Sequence, residues 1–293
     1  MTTVTLPTID TLITYPDGAT RSTGTVVHVE PGEGGRAAVI LDVTACHPVD
    51  TAWPDQPADR GTLTTDAAEV LPIVDAVTGG IHDGRLFLGA ELPVRNGTEG
   101  WTFVVAHIVE GAPPAVGSTV TVDVDAAHRL ALSAGHTACH LASLALDAAL
   151  ADAWTKPAPT DTLGHPAFDA LAIQRSRITP FGAVDTYRIG TSLRRKGFDA
   201  TALDAPDELA ARIDAQLAEW IAGGGAIRIE REASSLSARR RWVCELASGR
   251  TDIPCGGTHL GDLNEFASIT ASLAVADVEG GRELTMTTTA RLR

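Results

Sequence analysis

Aromatic side chains are scarce. Only 4% of the 293 residues are Phe, Trp or Tyr, and methionine occurs twice. A core built with so few rings has to be packed from Val, Leu and Ala, which keep the interior dense without large plates. Cysteine is equally thin: four residues, at 46, 139, 244 and 255, with no paired spacing. That pattern argues against a disulfide framework and suits a reducing compartment, so a cytoplasmic location is expected. No apolar run approaches the roughly 20 residues a membrane-spanning helix needs, so no membrane partner is expected. Met1 to Asp10 shows neither the basic nor the apolar region of a secretion signal. There is no Walker or Rossmann glycine motif and no internal repeat, which removes the common nucleotide-binding and solenoid classes.

Positive charge is also short, with 23 Lys and Arg against 37 Asp and Glu, a net charge of −14. The deficit is uneven. Residues 1–125 hold 5 basic and 17 acidic residues, whereas residues 126–293 hold 18 and 20. In the second part, Arg175, Arg177, Arg188, Arg194, Arg195 and Lys196 stand against a single acid, Asp185, and Arg239-Arg240-Arg241 forms a second basic run before Trp242. Such clusters are either solvated faces or phosphate contacts.

The hydrophobic pattern divides the chain at the same place. Residues 10–125 carry short β-rich runs at Thr11–Tyr15, Gly24–Val29, Ala37–Val43, Ile81–Leu88, Gly100–Val109 and Ser118–Val124. Turn signals separate them, among them Pro16-Asp17-Gly18, Gly79-Gly80 and Asn96-Gly97. Short strands at this spacing predict a small barrel or sandwich. Pro48–Arg60 reads as loop. A helix is expected from about Ser133, as N-cap, to about Asp152. A second follows Asp204-Ala205-Pro206-Asp207-Glu208, with Leu209, Ile213, Leu217, Trp220 and Ile221 at helical spacing and a Gly223-Gly224-Gly225 stop. Strands are expected at Asp185–Ser192, Ala226–Glu230, Arg241–Leu246, Phe266–Val275 and Leu284–Leu292, with a hairpin turn at Glu279–Arg282. The fold class is therefore α+β: a β-rich N-terminal domain over 1–125, barrel or sandwich, then an α+β domain over 126–293 with helices flanking an antiparallel sheet.

Two motifs stand out. His136-Thr137-Ala138-Cys139-His140 places two imidazoles four residues apart, on one face of a helix. Cys255-Gly256-Gly257-Thr258-His259 places a thiol and an imidazole around a glycine pair that permits a tight turn. Three imidazoles and one thiolate make a nitrogen- and sulfur-rich set suited to tetrahedral Zn²⁺. Each motif alone also fits a histidine pair on a helix surface, or a buried Cys near a turn. His165, beside Pro166, reads as structural or exposed.

HTACHL and CGGTHL resemble the two signature motifs of the editing domains of alanyl-tRNA synthetases and of the free-standing AlaX alanyl-tRNA editing proteins. Leu41-Asp42-Val43-Thr44-Ala45-Cys46-His47-Pro48 resembles the family's LDxTxFxP strand, and Gln56-Pro57-Ala58-Asp59-Arg60-Gly61 its QPSDRG turn. His107 and the stretch Gly117–Asp125 resemble the approach to the first metal motif, so the likeness runs in order over residues 10–293. It implies an N-terminal small β-barrel domain over 1–125 and an α+β metal-binding domain over 126–293 with a ligand-bearing helix, and a zinc-dependent hydrolase that removes mischarged serine or glycine from alanine tRNA, with the aminoacyl-tRNA acceptor end as partner. It implies His136, His140, Cys255 and His259 as metal ligands. The backbone amides of the Gly256-Gly257-Thr258 turn become candidate oxyanion or substrate contacts, Gly257 and Thr258 as catalytic groups and Gly256 as a substrate contact. Gln56 and Thr137 become contacts to the amino acid or terminal adenosine. The likeness includes no aminoacylation domain and no dimerising C-terminal segment, so the expected activity is in trans.

Four protein ligands fill a tetrahedral zinc, which by itself describes a structural site. Catalysis then needs a fifth position, a labile ligand or a non-metal role, and Asp252 and Asp59 are the candidate general bases. One departure matters. Where the family carries glycines before the glutamine, this chain has Trp53-Pro54-Asp55. These residues stiffen the loop and add a negative charge. They favour a second reading, a same-fold zinc enzyme acting on another aminoacyl ester or small molecule. A third is a non-catalytic, zinc-stabilised binding module.

Overall fold

The computed structural model describes residues 5–293. The fold is α+β with mostly antiparallel sheets, as expected. The chain divides into two compact units. One runs to Leu130 and takes in Ile229–Arg241 and Pro254–Thr258; the other comprises Ala131–Arg228, Trp242–Ile253 and His259–Arg293. Two segments late in the sequence, one of them carrying Cys255, thus count with the first unit.

The first unit contains β1 (Leu12–Ile13), β2 (Arg21–Pro31), β3 (Arg36–Leu41), β4 (Val43–Thr44), β5 (Gly61–Thr65), β6 (Val70–His82), β7 (Arg85–Leu88), β8 (Thr102–Glu110) and β9 (Thr119–Val124). Seven of these form one sheet in the order β5-β9-β2-β3-β8-β6-β7, and β5 also pairs with β6. Strand β3 is hydrophobic on both faces because both are covered. Ala37, Val39 and Leu41 join a large core with Phe103 and Val105 of β8, while Ala38 and Ile40 pack on the other side with Val104 and Ala106. The period of two along each strand sorts the side chains between these layers.

One turn expectation is corrected. Gly79-Gly80 is not a turn but the interior of β6, which continues to His82. A Cβ at Gly79 would stand 2.7 Å from Leu88, and one at Gly80 2.4 Å from Leu92, so these glycines admit close packing. The reversal falls at Asp83-Gly84, both at positive φ, as a two-residue hairpin turn requires.

Two histidines lie deep in this unit. His107 is fully buried; Nδ1 lies 2.9 Å from Val39 O and Nε2 2.8 Å from Thr44 Oγ1. The neutral ring satisfies both contacts, with Nδ1–H donating to the carbonyl and Nε2 accepting from the hydroxyl. His47 is buried edge-on against Tyr15, ring centroids 5.1 Å apart. Burial pulls the pKa of each down to about 4. Between there and the ordinary value near 6.5, the folded state binds fewer protons than the unfolded chain, so stability is complete above about pH 6.5 and declines as pH falls toward 4. Each ring carries up to about 3 kcal/mol of this decline. Urea midpoints measured from pH 7.5 to 4 are expected to fall accordingly, and His107→Gln is expected to remove the part of the slope that His107 carries. A slope unchanged in that variant would overturn the assignment.

After β9 the chain continues with α1 (Ala126–Ala149), α2 (Phe168–Ala172), β10 (Ile173–Thr179), β11 (Gly182–Gly190), α3 (Thr191–Arg195), α4 (Pro206–Gly223), β12 (Ile227–Arg231), β13 (Arg240–Leu246), β14 (Gly249–Pro254), β15 (Phe266–Val278) and β16 (Gly281–Leu292). Strands β10-β11-β16-β15 form an antiparallel sheet, and β12-β13-β14 a smaller one. Helix α4 matches its expected start and stop. Pro206 opens it, Leu209, Ile213, Leu217, Trp220 and Ile221 are buried, and Gly224 at positive φ ends it. Helix α1 starts earlier than expected. Asp125, not Ser133, caps it, its Oδ1 accepting from the amides of Ala127 and His128 at 3.0 Å each. The alanine-rich stretch after Asp125 propagates without a break, and Ser133 is buried mid-helix.

Candidate metal centre

Helix α1 carries His136 and His140 on one face, with ring centroids 4.7 Å apart. What holds that face in place is Gly135. A Cβ there would lie 2.3 Å from Thr179 O and 2.5 Å from Gly182 O, so the helix backbone rests directly on the β10–β11 hairpin. On the next turn, Cys139 packs with Leu132, Ile178 and Ala183, its Sγ 3.4 Å from Asp185 Oδ2.

His259 closes on the same face, its ring 4.3 Å from His136 and 5.0 Å from His140. Thr137 is fully buried beside them: its Oγ1 accepts from Leu260 N at 3.1 Å and lies 3.3 Å from His259 Nδ1. A contact of this kind fixes the tautomer and plane of the His259 ring, as a metal would require of it. The resemblance implies a substrate contact for Thr137; here its hydroxyl supports the His259 loop, and the residue presents no surface. Trp242, fully buried on β13, flanks the rings of His140 and His259 at 5.1 and 6.0 Å. Its place directly after the Arg239–Arg241 run is the one sequence signal for it.

Cys255 follows β14, its amide donating to Arg240 O at 3.2 Å and its Sγ accepting from Gly257 N at 3.4 Å. Burial, reinforced by the nearby Asp55 charge, pushes the thiol up to about 12, while the Gly257 amide and Arg240 oppose the shift. Arg240 leaves the expected basic surface cluster. Its guanidinium lies over Tyr15 at 5.8 Å and donates to Leu236 O, and its Nη2 would stand 3.1 Å from a Cβ at Gly256. Arg239 and Arg241 remain exposed.

Gln56 is clipped to the CGGTH turn from both ends. Its Nε2 donates to Thr258 Oγ1 at 2.9 Å and its Oε1 accepts from Thr258 N at 3.0 Å. The amides of Gly257 and Thr258, expected as oxyanion donors, are thus directed at Cys255 Sγ and Gln56 Oε1 within the turn. Of the candidate bases, Asp59 is fully buried against Arg129 and accepts from His47 N at 2.6 Å, which makes it a fastening of the 45–60 loop. Asp252 is half-buried on β14, three residues before Cys255. His165 is half-buried beside Asp161, its Nδ1 3.5 Å from Oδ2.

The four ligand atoms of His136, His140, Cys255 and His259 all lie within 4.8 Å of one another, and these residues are the group of potential metal ligands among the described residues. On a tetrahedral zinc, the bond lengths put ligand atoms roughly 3.3–3.6 Å apart, which lies inside that limit. The set fits a metal on chemical grounds as well. His140 Nε2 is buried without a hydrogen-bond partner, an arrangement that is costly unless something coordinates it. The ring as a whole is half-buried, but this nitrogen is shielded, and burial pulls its pKa down to about 3, so the imidazole stands neutral and able to donate a lone pair.

No family model matches this chain, and no curated protein does. Among solved structures, a bifunctional dehydratase-cyclase domain from ambruticin biosynthesis is 13% identical, with 93% of this chain and 96% of that one covered and a TM-score of 0.13. A likeness at that level carries no argument. Among the described residues, no helix is long and apolar enough to cross a membrane.

Proposed function

We propose that the protein is a zinc-dependent hydrolase of aminoacyl esters, of the kind that clears mischarged serine or glycine from alanine tRNA in trans in the cytoplasm. The observation that carries the proposal is the cluster of His136, His140, Cys255 and His259, assembled from the two motifs that resemble AlaX editing proteins. Supporting it is the Gln56–Thr258 clip, which joins the QPADRG turn to the second motif.

A divalent ion held by these donors supplies Lewis acidity, polarising an ester carbonyl and lowering the pKa of water. The protein's own contributions are positional. Neutral His140 offers its lone pair, Thr137 orients His259, and Gly257 N–H shares the Cys255 sulfur. Gln56 fixes the turn between the last two ligands. An aminoacyl ester is an activated ester, so a placed water and a polarised carbonyl suffice for its hydrolysis.

The test is a panel of alanine tRNAs charged with serine, glycine or alanine. Serine and glycine are expected to be released about tenfold faster than alanine, with loss of activity on chelation and recovery with zinc. No turnover above the spontaneous rate for any of them would sink the proposal.

A second reading keeps the zinc chemistry but replaces the tRNA with another aminoacyl ester. It is favoured by the Trp53-Pro54-Asp55 loop, whose indole is 44% exposed, and by the acidic first part of the chain. The same panel extended to small aminoacyl esters separates the two.

A further inference from the structure

The loop ahead of Gln56 is internally braced. Asp50 Oδ1 accepts from the amides of Ala52 and Trp53 at 2.7 and 3.2 Å, and Asp55 N donates to Trp53 O at 2.9 Å. Asp55 Oδ1 accepts from Gln56 N at 2.7 Å. Gln56 in turn is 2% exposed and held by two hydrogen bonds to Thr258, between Cys255 and His259. Asp55 is therefore one peptide unit from a residue locked onto the ligand turn. Its position is set by the same clip that sets the turn. Its side chain is half-buried.

A half-buried anion beside a hydrolytic centre is unfavourable for a neutral ester, because it repels the carbonyl oxygen as negative charge develops there. An aminoacyl ester differs from an ordinary ester in one respect that matters here: the carbon next to its carbonyl bears an ammonium group. A carboxylate held next to the ligand turn offers a charge-assisted hydrogen bond to the ammonium, and it discriminates against acyl groups that lack one. Next to it, the ring of Pro54 fixes one backbone torsion of the loop.

We propose that the Asp55 carboxylate anchors the α-ammonium of the substrate's aminoacyl group, so that this loop selects amino acid esters over neutral esters. The inference rests on the aminoacyl-ester part of the proposed function and not on tRNA as the carrier.

The experiment is calorimetric binding to the full, zinc-loaded protein, with two non-hydrolysable adenosine analogues joined through a 3′-amide. One carries serine and the other 3-hydroxypropionate, which is serine without its amino group. Wild-type protein is expected to bind the seryl analogue about tenfold more tightly than the desamino one. Asp55→Asn is expected to weaken the seryl analogue by about the same factor and leave the desamino analogue unchanged. Zinc content and near-ultraviolet circular dichroism check that the variant is intact. If wild-type protein binds both analogues equally, or if Asp55→Asn weakens both alike, the inference is overturned while the hydrolase reading stands on its deacylation panel. If wild-type protein binds neither analogue and the panel shows no turnover, both fall together.

Discussion

Replacing Cys255 with alanine is expected to reduce bound zinc from about one atom per chain to a small fraction of that in protein purified without added metal. The site is built from four donors within 4.8 Å of one another, and three imidazoles without the thiolate leave it open and less charge-compensated. The affinity loss is expected to exceed the roughly 10–100-fold that removal of an outer-shell partner takes. Thr137→Val, which removes the contacts to His259 and to the Leu260 amide but no ligand, is expected to fall inside that range. The pH dependence has a definite sign. The thiol, held at about 12 in the metal-free protein, must give up its proton on binding, whereas His140, held down near 3, has none to give at neutral pH. Apparent zinc affinity is therefore expected to rise about tenfold per pH unit from about pH 6 to 9. Elemental analysis and competition with a chromogenic chelator measure both effects. If Cys255→Ala keeps full occupancy and the wild-type slope, the ligand assignment is wrong.

Arg129→Met is expected to destabilise the protein by about 3–5 kcal/mol, because it leaves the Asp59 carboxylate buried without its counter-charge. Arg129, in the first turn of α1, donates from Nε to Asp59 Oδ1 at 2.7 Å, from Nη2 to Asp59 Oδ2, and to the carbonyls of Ala45 at 2.7 Å and Ala19 at 3.3 Å. Both partners are almost completely inaccessible, so water does not replace the lost contacts. Arg129→Met combined with Asp59→Leu is expected to recover much of the loss, since an apolar pair often substitutes for a buried ion pair. Denaturant unfolding with a shared slope reads the difference. A single-variant loss below about 1 kcal/mol, the size seen for surface pairs, would mean that the pair is solvated.

The readable parts of this chain are those written in short-range spacing. Helix α4 announces itself through a proline at its first position, acids in the first turn and apolar residues three and four apart. The metal cluster is legible for the same reason, since each half is a four-residue interval whose geometry is local. What joins the halves is not. Asp59 and Arg129 are 70 positions apart, Gln56 and Thr258 are 202 apart, and no local rule pairs them. Glycine is ambiguous in the same way. Gly79-Gly80 carries the same composition as a turn, and only the side chains of Leu88, Val104, Leu92 and Trp101 across the fold show that room, not reversal, is what the residues provide. The start of α1 shows how two local signals compete. Ser133 is a good capping residue by type and stands close to the motif, but Asp125 and the alanines after it have already begun the helix at Ala126, well ahead of His136.

The direct seating of Gly135 on the carbonyls of Thr179 and Gly182 has a mechanical consequence. A helix separated from its neighbours by side chains can slide or roll by fractions of a turn as those side chains change rotamer. Here backbone meets backbone at the residue preceding His136, and that contact has no rotamers to change. The helix is indexed to the hairpin like a key in a slot. His136 and His140 keep only their own side-chain torsions as freedom, so arrival of an ion has a few bonds to rotate and no scaffold to rearrange.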